Sequence, residues 1–399
     1  MRTREIDAVM QRFVDERQIA GGALLVRQHG EPVYQNKWGW ADLAAEKPIE
    51  YDSIYRMMSM TKPVTAAAVL QLAEQGKIGL DEPISRILPE FREMRVVSDG
   101  RYAWHEGMTM LSLLPKLLFF RQDSVKTVPA EREITARDLL SHSSGLQQGI
   151  VGLLIMKKDT AKKESLAAEC AKYCRQPLDF QPGTSTSYSP LAGFDVLGRM
   201  VEIVSGLRLD AYMQTHIFDP LGMKDTGFRL NGEQESRLVH AYKRKGKRLI
   251  DVTGTKDDMD AMLHRGPDYP DASGGLFSTV TDYERFARML LRGGESILKP
   301  ETVALMRSEG AKQHLESEPG LVWGLGVKLR KDPKRAGSAC TAGTYGWSGA
   351  FGTHFFVSPA DELEAVWCTN RTDLEGSASP ISKKVEELVF GCFGKGSGA

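Results

Sequence analysis

Runs that favour β-strands lie near both ends of this chain, and a long stretch with helical patterns separates them. The N-terminal runs cover residues 21–27 and 32–40, and the C-terminal runs cover 322–329, 343–358 and 362–369. Short turns join successive runs at each end, which indicates antiparallel pairing. We therefore predict an α+β fold whose antiparallel sheet is built from both ends of the chain.

Helical patterns complete that architecture. Apolar residues at Ile6, Val9, Met10 and Phe13 have helical spacing, and a last helical pattern covers 381–390. Between residues 88 and 264 strand signals are scarce and helical patterns dominate. The sequence thus predicts a discontinuous α/β sheet domain, 1–87 and 265–399, flanked by N- and C-terminal helices, and a mainly helical insertion domain at 88–264.

Composition limits the class of protein. The 52 basic residues balance the 52 acidic ones, whereas partners of nucleic acid or anionic membranes usually carry a basic surplus. The N-terminus lacks the uninterrupted apolar core of a signal peptide, and no run is long enough to span a bilayer. Five cysteines without Cys-x-x-Cys spacing fit thiols in a reducing compartment. We expect a cytoplasmic protein that binds no metal, cofactor, nucleic acid or membrane; the oligomeric state stays open.

The tetrapeptide at 59–62, Ser-Met-Thr-Lys, opens an alanine-rich helical segment. Residues three apart on a helix share a face, so Ser59 and Lys62 can lie side by side. Serine becomes a good nucleophile when a base takes its proton, and a neutral lysine can be that base. The spacing alone is weak, because Ser296 and Lys299 repeat it at what reads as an ordinary helix start.

Two further stretches could supply the rest of an acyl-transfer site. Tyr188 follows a Pro-Gly turn, and a tyrosine on such a loop either shuttles protons in a cleft or merely packs a helix start. Residues 345–353 read Tyr-Gly-Trp-Ser-Gly-Ala-Phe-Gly-Thr, with small residues where a ligand can approach the backbone. An N–H on that edge can form half of an oxyanion hole, although a plain glycine-rich hairpin would read the same way.

Taken together, these segments resemble the serine β-lactamase and penicillin-binding superfamily, most closely its class C β-lactamase-like branch. That branch includes the family VIII carboxylesterases and the lovastatin-type acyltransferases. Three more stretches typical of the branch bring the similarity to nearly the whole chain: 134–146 (Ile-Thr-Ala-Arg-Asp-Leu-Leu-Ser-His-Ser-Ser-Gly-Leu), 220–226 (Pro-Leu-Gly-Met-Lys-Asp-Thr) and 273–279 (Ser-Gly-Gly-Leu-Phe-Ser-Thr).

The resemblance implies a β-lactamase/transpeptidase-like fold and a set of site residues. It implies Ser59 as the catalytic serine, together with Lys62 and Tyr188 as catalytic residues. It also implies an oxyanion hole made by the backbone N–H groups of Ser59 and Ala350. The second Ser-x-x-Lys, at 296–299, has no such companions and is set aside.

Departures from the β-lactamase pattern bear on the substrate. Pro190 stands where the lactamases have the asparagine of Tyr-x-Asn, and Trp347, Ser348 and Gly349 stand in place of Lys-Thr-Gly. A tryptophan replaces a fixed positive charge with an apolar wall, which suits a neutral ester. The motif is similar to the Trp-Gly-Gly of family VIII esterases, with a serine in place of the first glycine. We expect these three residues to bind substrate.

The sequence therefore predicts a serine carboxylesterase that hydrolyses small, neutral, short- to medium-chain esters through an acyl-enzyme on Ser59. The alternatives are a β-lactamase or D,D-peptidase-like amide hydrolase, an acyltransferase that uses the same acyl-enzyme, and a catalytically silent scaffold. Whether Lys62 or Tyr188 is the general base stays open, because closely coupled groups titrate as a pair.

Four other segments have plainer interpretations. His142 is expected to be a structural, hydrogen-bonded histidine. The apolar runs at 108–120 and 150–156 are expected to pack as core, and the alternatives are that they line an acyl pocket or form a flexible lid. The basic cluster at 243–248 reads as a solvated hairpin tip.

Overall fold

The computed structural model describes residues 3–102, 118–258, 265–266, 268–311, 318–374, 376 and 379–395. Its helices are α1 Thr3–Asp15, α2 Thr61–Glu74, α3 Ala136–Leu140, α4 Ile150–Lys158, α5 Leu166–Tyr173, α6 Ala192–Ser205, α7 Leu209–Met213, α8 Asp219–Leu221, α9 Gly232–Ser236, α10 Val280–Leu291, α11 Pro300–Met306, α12 Pro333–Ala336 and α13 Pro380–Phe393. Its strands are β1 Gly21–Gln28, β2 Glu31–Asp42, β3 Lys47–Pro48, β4 Ile54–Arg56, β5 Arg95–Val97, β6 Thr127–Pro129, β7 Tyr242–Lys245, β8 Arg248–Asp251, β9 Phe277–Thr279, β10 Leu321–Trp323, β11 Lys328–Arg330, β12 Tyr345–Ser348, β13 His354–Ser358 and β14 Leu363–Thr369.

Eight of these strands form one antiparallel sheet in the order β10-β11-β12-β13-β14-β1-β2-β3. The two chain ends meet at its centre, where β1 pairs with β14 and Leu25 lies opposite Val366. This confirms the α+β fold with an antiparallel sheet drawn from both ends of the chain.

The run at 322–329 is a hairpin of two strands, β10 and β11, instead of the single β run expected. Its turn is closed by a hydrogen bond from the Gly324 N–H to the Val327 carbonyl. Gly326 in that turn has a positive φ of 80°, and a Cβ there would clash with Ala66 on α2. The glycine thus allows the hairpin to turn tightly while it packs against a helix.

Helices cover both faces of the large sheet. On one face, α1 and α13 pack around Trp367 and Phe356, and α1 contributes Ile6 and Met10 at helical spacing. On the other face, α2 and α10 belong to the main core, which also contains Phe355. The predicted flanking of the sheet by the N- and C-terminal helices is confirmed.

Helix α2 lies at the centre of the molecule and is buried continuously from Thr61 to Leu72. A helix that is buried all round has no solvent face, which fits the absence of a polar stripe along it, although Thr61, Lys62, Thr65 and Gln71 are polar. Small alanines at 66–68 let neighbouring elements approach, and α6 packs directly against it. The N-terminus of this buried helix is where residues 59–62 lie.

Between residues 88 and 258 the described chain forms α3 to α9 and two small strand pairs, β5–β6 and β7–β8. The domain boundaries proposed from the sequence remain a prediction. The run at 150–156 lies in α4 and packs with Phe120, whereas most of the run at 108–120 lies outside the described residues. The basic cluster at 243–248 is the exposed tip of the β7–β8 hairpin. Within the described ranges, no helix combines the length and apolarity needed to cross a bilayer.

Candidate active site

Ser59 lies in a 3-10 turn, Met58–Met60, directly before α2, and its side chain is half-buried. Met58 has a φ of +49°, in the left-handed region that costs energy for a residue other than glycine. The Thr61 hydroxyl bonds to the Met58 carbonyl at 2.7 Å and accepts the Leu276 N–H at 3.0 Å. These bonds hold the strained turn that presents the serine.

Lys62, on the first turn of α2, is almost fully buried. Its Nζ lies 2.8 Å from the Pro190 carbonyl, 2.8 Å from the Ser273 carbonyl and 3.3 Å from Ser59 Oγ. A lysine amine has three directions for hydrogen bonding. Two of them are fixed by main-chain carbonyls, and the third is directed to the serine hydroxyl.

The position of the Ser273 carbonyl depends on a buried aspartate. Asp271 accepts the Ser273 N–H at 2.9 Å and its hydroxyl at 2.6 Å, and it pairs with Arg265 at 2.8 Å. Burial would raise the pKa of Asp271, but Arg265 and these hydrogen bonds outweigh burial and lower it. A charged carboxylate thus fixes the start of the 273–279 segment, whose first carbonyl holds Lys62.

Tyr188 completes the group around the serine. Its hydroxyl lies 2.6 Å from Ser59 Oγ, and the Lys62 Nζ lies 5.1 Å from the centre of its ring. The structure therefore brings Ser59, Lys62 and Tyr188 together, although 129 residues separate the tyrosine from the serine. Pro190, which replaces the asparagine of the lactamase motif, contributes its main-chain carbonyl to Lys62.

His142 supports the tyrosine loop and is buried and hydrogen-bonded. Its Nδ1 accepts the Ser189 N–H at 3.1 Å, its carbonyl accepts the Ser187 N–H at 3.0 Å, and its ring lies 4.8 Å from that of Tyr188. Burial, then the charges of Lys62 and Lys328, lower the pKa of His142 well below its usual value. It is a neutral bridge between the segment at 134–146 and the Tyr188 loop.

An aromatic wall stands beside Tyr188. Ring centres of Trp347 and Trp323 lie 5.3 and 5.9 Å from it, and the two indoles are 4.6 Å apart. Trp347 was expected in the site, but Trp323 was not. No local spacing singles out Trp323, because its place depends on how the β10–β11 hairpin turns.

A lysine from a neighbouring strand lies behind this wall and was also missed. Lys328 Nζ is 4.9 Å from the ring of Trp323 and 5.5 Å from that of Trp347, and it forms an ion pair with Glu318. Burial lowers the pKa of Lys328, and Glu318 opposes that shift. The positive charge that is absent from the 347–349 motif therefore has a nearby counterpart, which is paired with an acid.

Ala350 lies on the hairpin turn between β12 and β13. The Gly349 N–H bonds to the Thr353 carbonyl at 2.8 Å, and the Gly352 N–H bonds to the Gly349 carbonyl at 3.0 Å. Ala350 packs in a small apolar cluster with Met58, the residue before Ser59. Within the described part of the chain its N–H donates no hydrogen bond, and its place in an oxyanion hole remains a prediction.

The side chain of Ser348 lies on the opposite face of the sheet from Trp347, since successive residues of a strand alternate. Its hydroxyl is buried, 2.7 Å from His354 Nδ1. The Ser348 side chain therefore points away from the cleft. Contact between the Ser348 backbone and the substrate remains a prediction. The structure places Gly349 against the Met57 carbonyl, where a Cβ would clash.

The second Ser-x-x-Lys has different surroundings. Ser296 and Lys299 are both exposed, and Lys299 occupies the N-cap position of α11. Its backbone N–H donates to Glu74 at 2.7 Å. In the described ranges, no group of three or more His, Cys, Asp and Glu side chains is arranged to hold a metal ion.

Comparison with known proteins gives consistent relatives. A family model described as Beta-lactamase matches residues 6–388. Esterase EstB from Burkholderia gladioli is 30% identical over 408 residues, covering 96% of this chain and 94% of EstB. Lovastatin esterase from Penicillium rubens is 31% identical over 327 residues, covering 78% of this chain and 73% of that protein. Among solved structures, EstCE1, a hydrolase with promiscuous acyltransferase activity, superposes with a TM-score of 0.79 at 26% identity and covers 98% of both chains.

Proposed function

The chain belongs to the Beta-lactamase family and is a serine hydrolase acting on esters, and from this premise we propose that it is a carboxylesterase with an acyl-enzyme on Ser59. One observation carries the proposal. The Tyr188 hydroxyl and the Lys62 amine converge on Ser59 Oγ, at 2.6 and 3.3 Å. These are the contacts that a serine needs in order to lose its proton as it attacks a carbonyl.

In acylation, Ser59 Oγ attacks the ester carbonyl carbon, and its proton passes to the Tyr188–Lys62 pair. The carbonyl oxygen becomes an oxyanion that accepts hydrogen bonds from the N–H groups of Ser59 and Ala350. Collapse of the tetrahedral intermediate breaks the ester C–O bond, and the leaving alkoxide takes the proton from the pair. The products of this step are an alcohol and an acyl group esterified to Ser59.

In deacylation, a water molecule takes the place of the alcohol. It gives a proton to the Tyr188–Lys62 pair while its oxygen attacks the acyl carbon, and the same oxyanion hole holds the second intermediate. Ser59 Oγ then leaves and regains the proton. We treat Tyr188 and Lys62 as one proton-transferring unit, because both lie within hydrogen-bond distance of Ser59 Oγ.

We propose small, neutral esters with short to medium acyl chains as substrates. Trp347 occupies the position where β-lactamases carry a lysine, and with Trp323 it gives the cleft an apolar wall beside Tyr188. Lys328 behind that wall is neutralised by Glu318. An apolar wall without an unpaired charge favours a neutral acyl group over an anionic one.

Transfer of the acyl group to an alcohol or amine is a second candidate. It is favoured by the structural similarity to EstCE1, a hydrolase with promiscuous acyltransferase activity. The same acyl-enzyme serves both reactions, and they differ only in the nucleophile that replaces the first alcohol. Adding an alcohol to the ester assay and analysing the products for a transesterified ester measures the share of transfer.

The test of the proposed function is Ser59→Ala, assayed with chromogenic esters of increasing chain length and by intact-mass detection of the acyl adduct. We expect loss of turnover and of the adduct, and loss of labelling by a fluorophosphonate. Ser296→Ala is the matched control and should retain wild-type turnover, since Ser296 is exposed and lies in the other tetrapeptide. Retained activity in Ser59→Ala, or cephalosporin turnover equal to ester turnover in the wild type, contradicts the proposal.

A further inference from the structure

A serine–histidine–carboxylate array, separate from the site at Ser59, lies buried behind the strand that carries Trp347. Ser348 Oγ is 2.7 Å from His354 Nδ1, and His354 Nε2 is 3.0 Å from Oε1 of Glu386 on α13. Arg330 on β11 forms an ion pair with the same carboxylate. Ser348, His354 and Glu386 are 2%, 1% and 7% exposed, so the array is closed to solvent.

The carboxylate defines the direction of its hydrogen bond with His354. Burial would raise the pKa of Glu386, but Arg330 and then His354 outweigh burial and lower it to about 2. A charged carboxylate only accepts, so His354 donates to it from Nε2. His354 Nδ1, on the other side of the ring, is within hydrogen-bond distance of the Ser348 hydroxyl. The imidazole therefore bridges the Ser348 hydroxyl and a fixed negative charge.

This array does not face the substrate cleft. Trp347 belongs to the core that contains α2, and the next residue along the strand, Ser348, points to the layer between the sheet and α13. Ser348 and His354 are directly opposite each other at the end of the β12–β13 pair. They are also the residues immediately before and after the turn at 349–353, which carries Ala350.

That turn has little room to move against the nucleophile. The Thr353 hydroxyl bonds to the Met57 carbonyl at 3.1 Å, and Gly349 sits so close to the same carbonyl that a Cβ would clash. Met57 is two residues before Ser59. A shift of the turn therefore changes the separation of the two N–H groups that would hold the oxyanion, and such donors act only over a narrow range of distances.

We propose that His354 is a positioning residue for the esterase reaction. With Ser348 and Glu386 it ties the ends of the turn to α13, and thereby fixes the N–H of Ala350 relative to Ser59. A glycine at position 348, as in the Trp-Gly-Gly motif, would remove the hydroxyl that bonds to His354 Nδ1. The inference rests on the proposed function, because it needs an oxyanion hole at Ser59 and Ala350.

The experiment compares His354→Phe, which keeps an aromatic ring without polar atoms, with His354→Gln, which keeps one acceptor and one donor. Turnover is expressed per active site, counted by fluorophosphonate labelling of Ser59. We expect His354→Phe to lower kcat roughly tenfold with KM within about twofold, and His354→Gln to recover most of the loss. Glu387→Gln is the control, because Glu387 is on the same helix but forms an exposed pair with Lys384, and its kcat should match the wild type.

The outcomes separate a positioning role from a merely structural one. Unchanged kcat per labelled serine in His354→Phe, with only a lower melting temperature, overturns the inference, and so does a change confined to KM. If His354→Phe does not fold, Ser348→Ala replaces it; we expect about a threefold loss of kcat, and an unchanged kcat there has the same meaning. Failure of the proposed function would give a different result from failure of this inference. In that case Ser59→Ala, made in the otherwise wild-type chain, would keep its esterase activity.

Discussion

The chain carries the pattern Ser-x-x-Lys twice, at 59–62 and at 296–299, and the two copies share more than their spacing. Each serine follows a residue in the left-handed region of the backbone, Met58 with a φ of +49° and Glu295 with a φ of +46°. The local backbone therefore does not distinguish a candidate nucleophile from an ordinary surface serine.

Burial and long-range partners do distinguish them. Lys62 is buried between two carbonyls and Ser59, and Tyr188 arrives from a distant loop. Lys299 is exposed at the start of α11. The motif becomes a site only where the fold removes water and adds a second proton carrier.

The largest expected difference between the two copies of the motif is the effect on kcat of replacing the lysine. Lys62→Met should lower kcat for a chromogenic ester by roughly a thousandfold, because it removes one of the two groups that can take the serine proton. Lys299→Met should leave kcat and KM unchanged. Loss of activity in the exposed copy, or its retention in the buried one, would show that burial is not what separates them.

Tyr188→Phe tests the second proton carrier. It keeps the ring that packs against Trp323 and Trp347 but removes the hydroxyl 2.6 Å from Ser59 Oγ. We expect kcat to fall by roughly a hundredfold with a folded protein by circular dichroism. Tyr34→Phe removes a hydroxyl that bonds to Asp7, and it should leave turnover unchanged. Equal kcat values for the two variants would assign the proton transfer to Lys62 alone.

Trp347→Lys tests whether the aromatic wall beside the tetrapeptide at 59–62 determines which esters are hydrolysed. It brings an ammonium close to Lys328, so like-charge repulsion and the lost ring contacts should reduce stability. We expect kcat/KM for a neutral ester to fall about tenfold, and to fall less for an ester that carries a carboxylate. Trp347→Phe, which keeps an apolar ring, is the control. An equal loss for both esters would remove the argument for a neutral substrate.

The smallest effect concerns the shared backbone strain. Glu295→Gly removes the strain of a left-handed backbone conformation and loses only an exposed ion pair with Arg292. We expect the free energy of unfolding to rise by about 0.5–1 kcal/mol. Esterase activity should not change. Met58→Gly relieves the same strain but removes a buried side chain beside Ala350. It should lower both stability and kcat. Chemical denaturation and ester kinetics on the two variants make the comparison.

Much of the fold followed from local patterns. Strand runs at both ends of the chain and helices at both termini were readable because apolar residues repeat with the period of each element. The hairpin at 322–329 was not resolved into two strands, since its turn depends on Gly326 packing against a helix that is distant in sequence.

The residues of the site likewise divide into those that the sequence predicts and those that it does not. Ser59, Lys62 and Tyr188 lie in motifs with a recognisable order, and the structure brings them together. Trp323 and Lys328 join them through strand pairing and a hairpin turn, which leave no spacing to detect. The orientation of Ser348, in contrast, follows from the sequence alone. The alternation of side chains along a strand already implies that Trp347 and Ser348 cannot both face the cleft.

The continuous burial of α2 has a consequence for how the protein unfolds and loses activity. Backbone amides in a helix enclosed on all sides exchange with solvent only when the whole domain opens. We expect the amides of residues 61–72 to be among the slowest to take up deuterium. Heat should then abolish ester turnover and cooperative structure in a single transition, leaving no folded but inactive species.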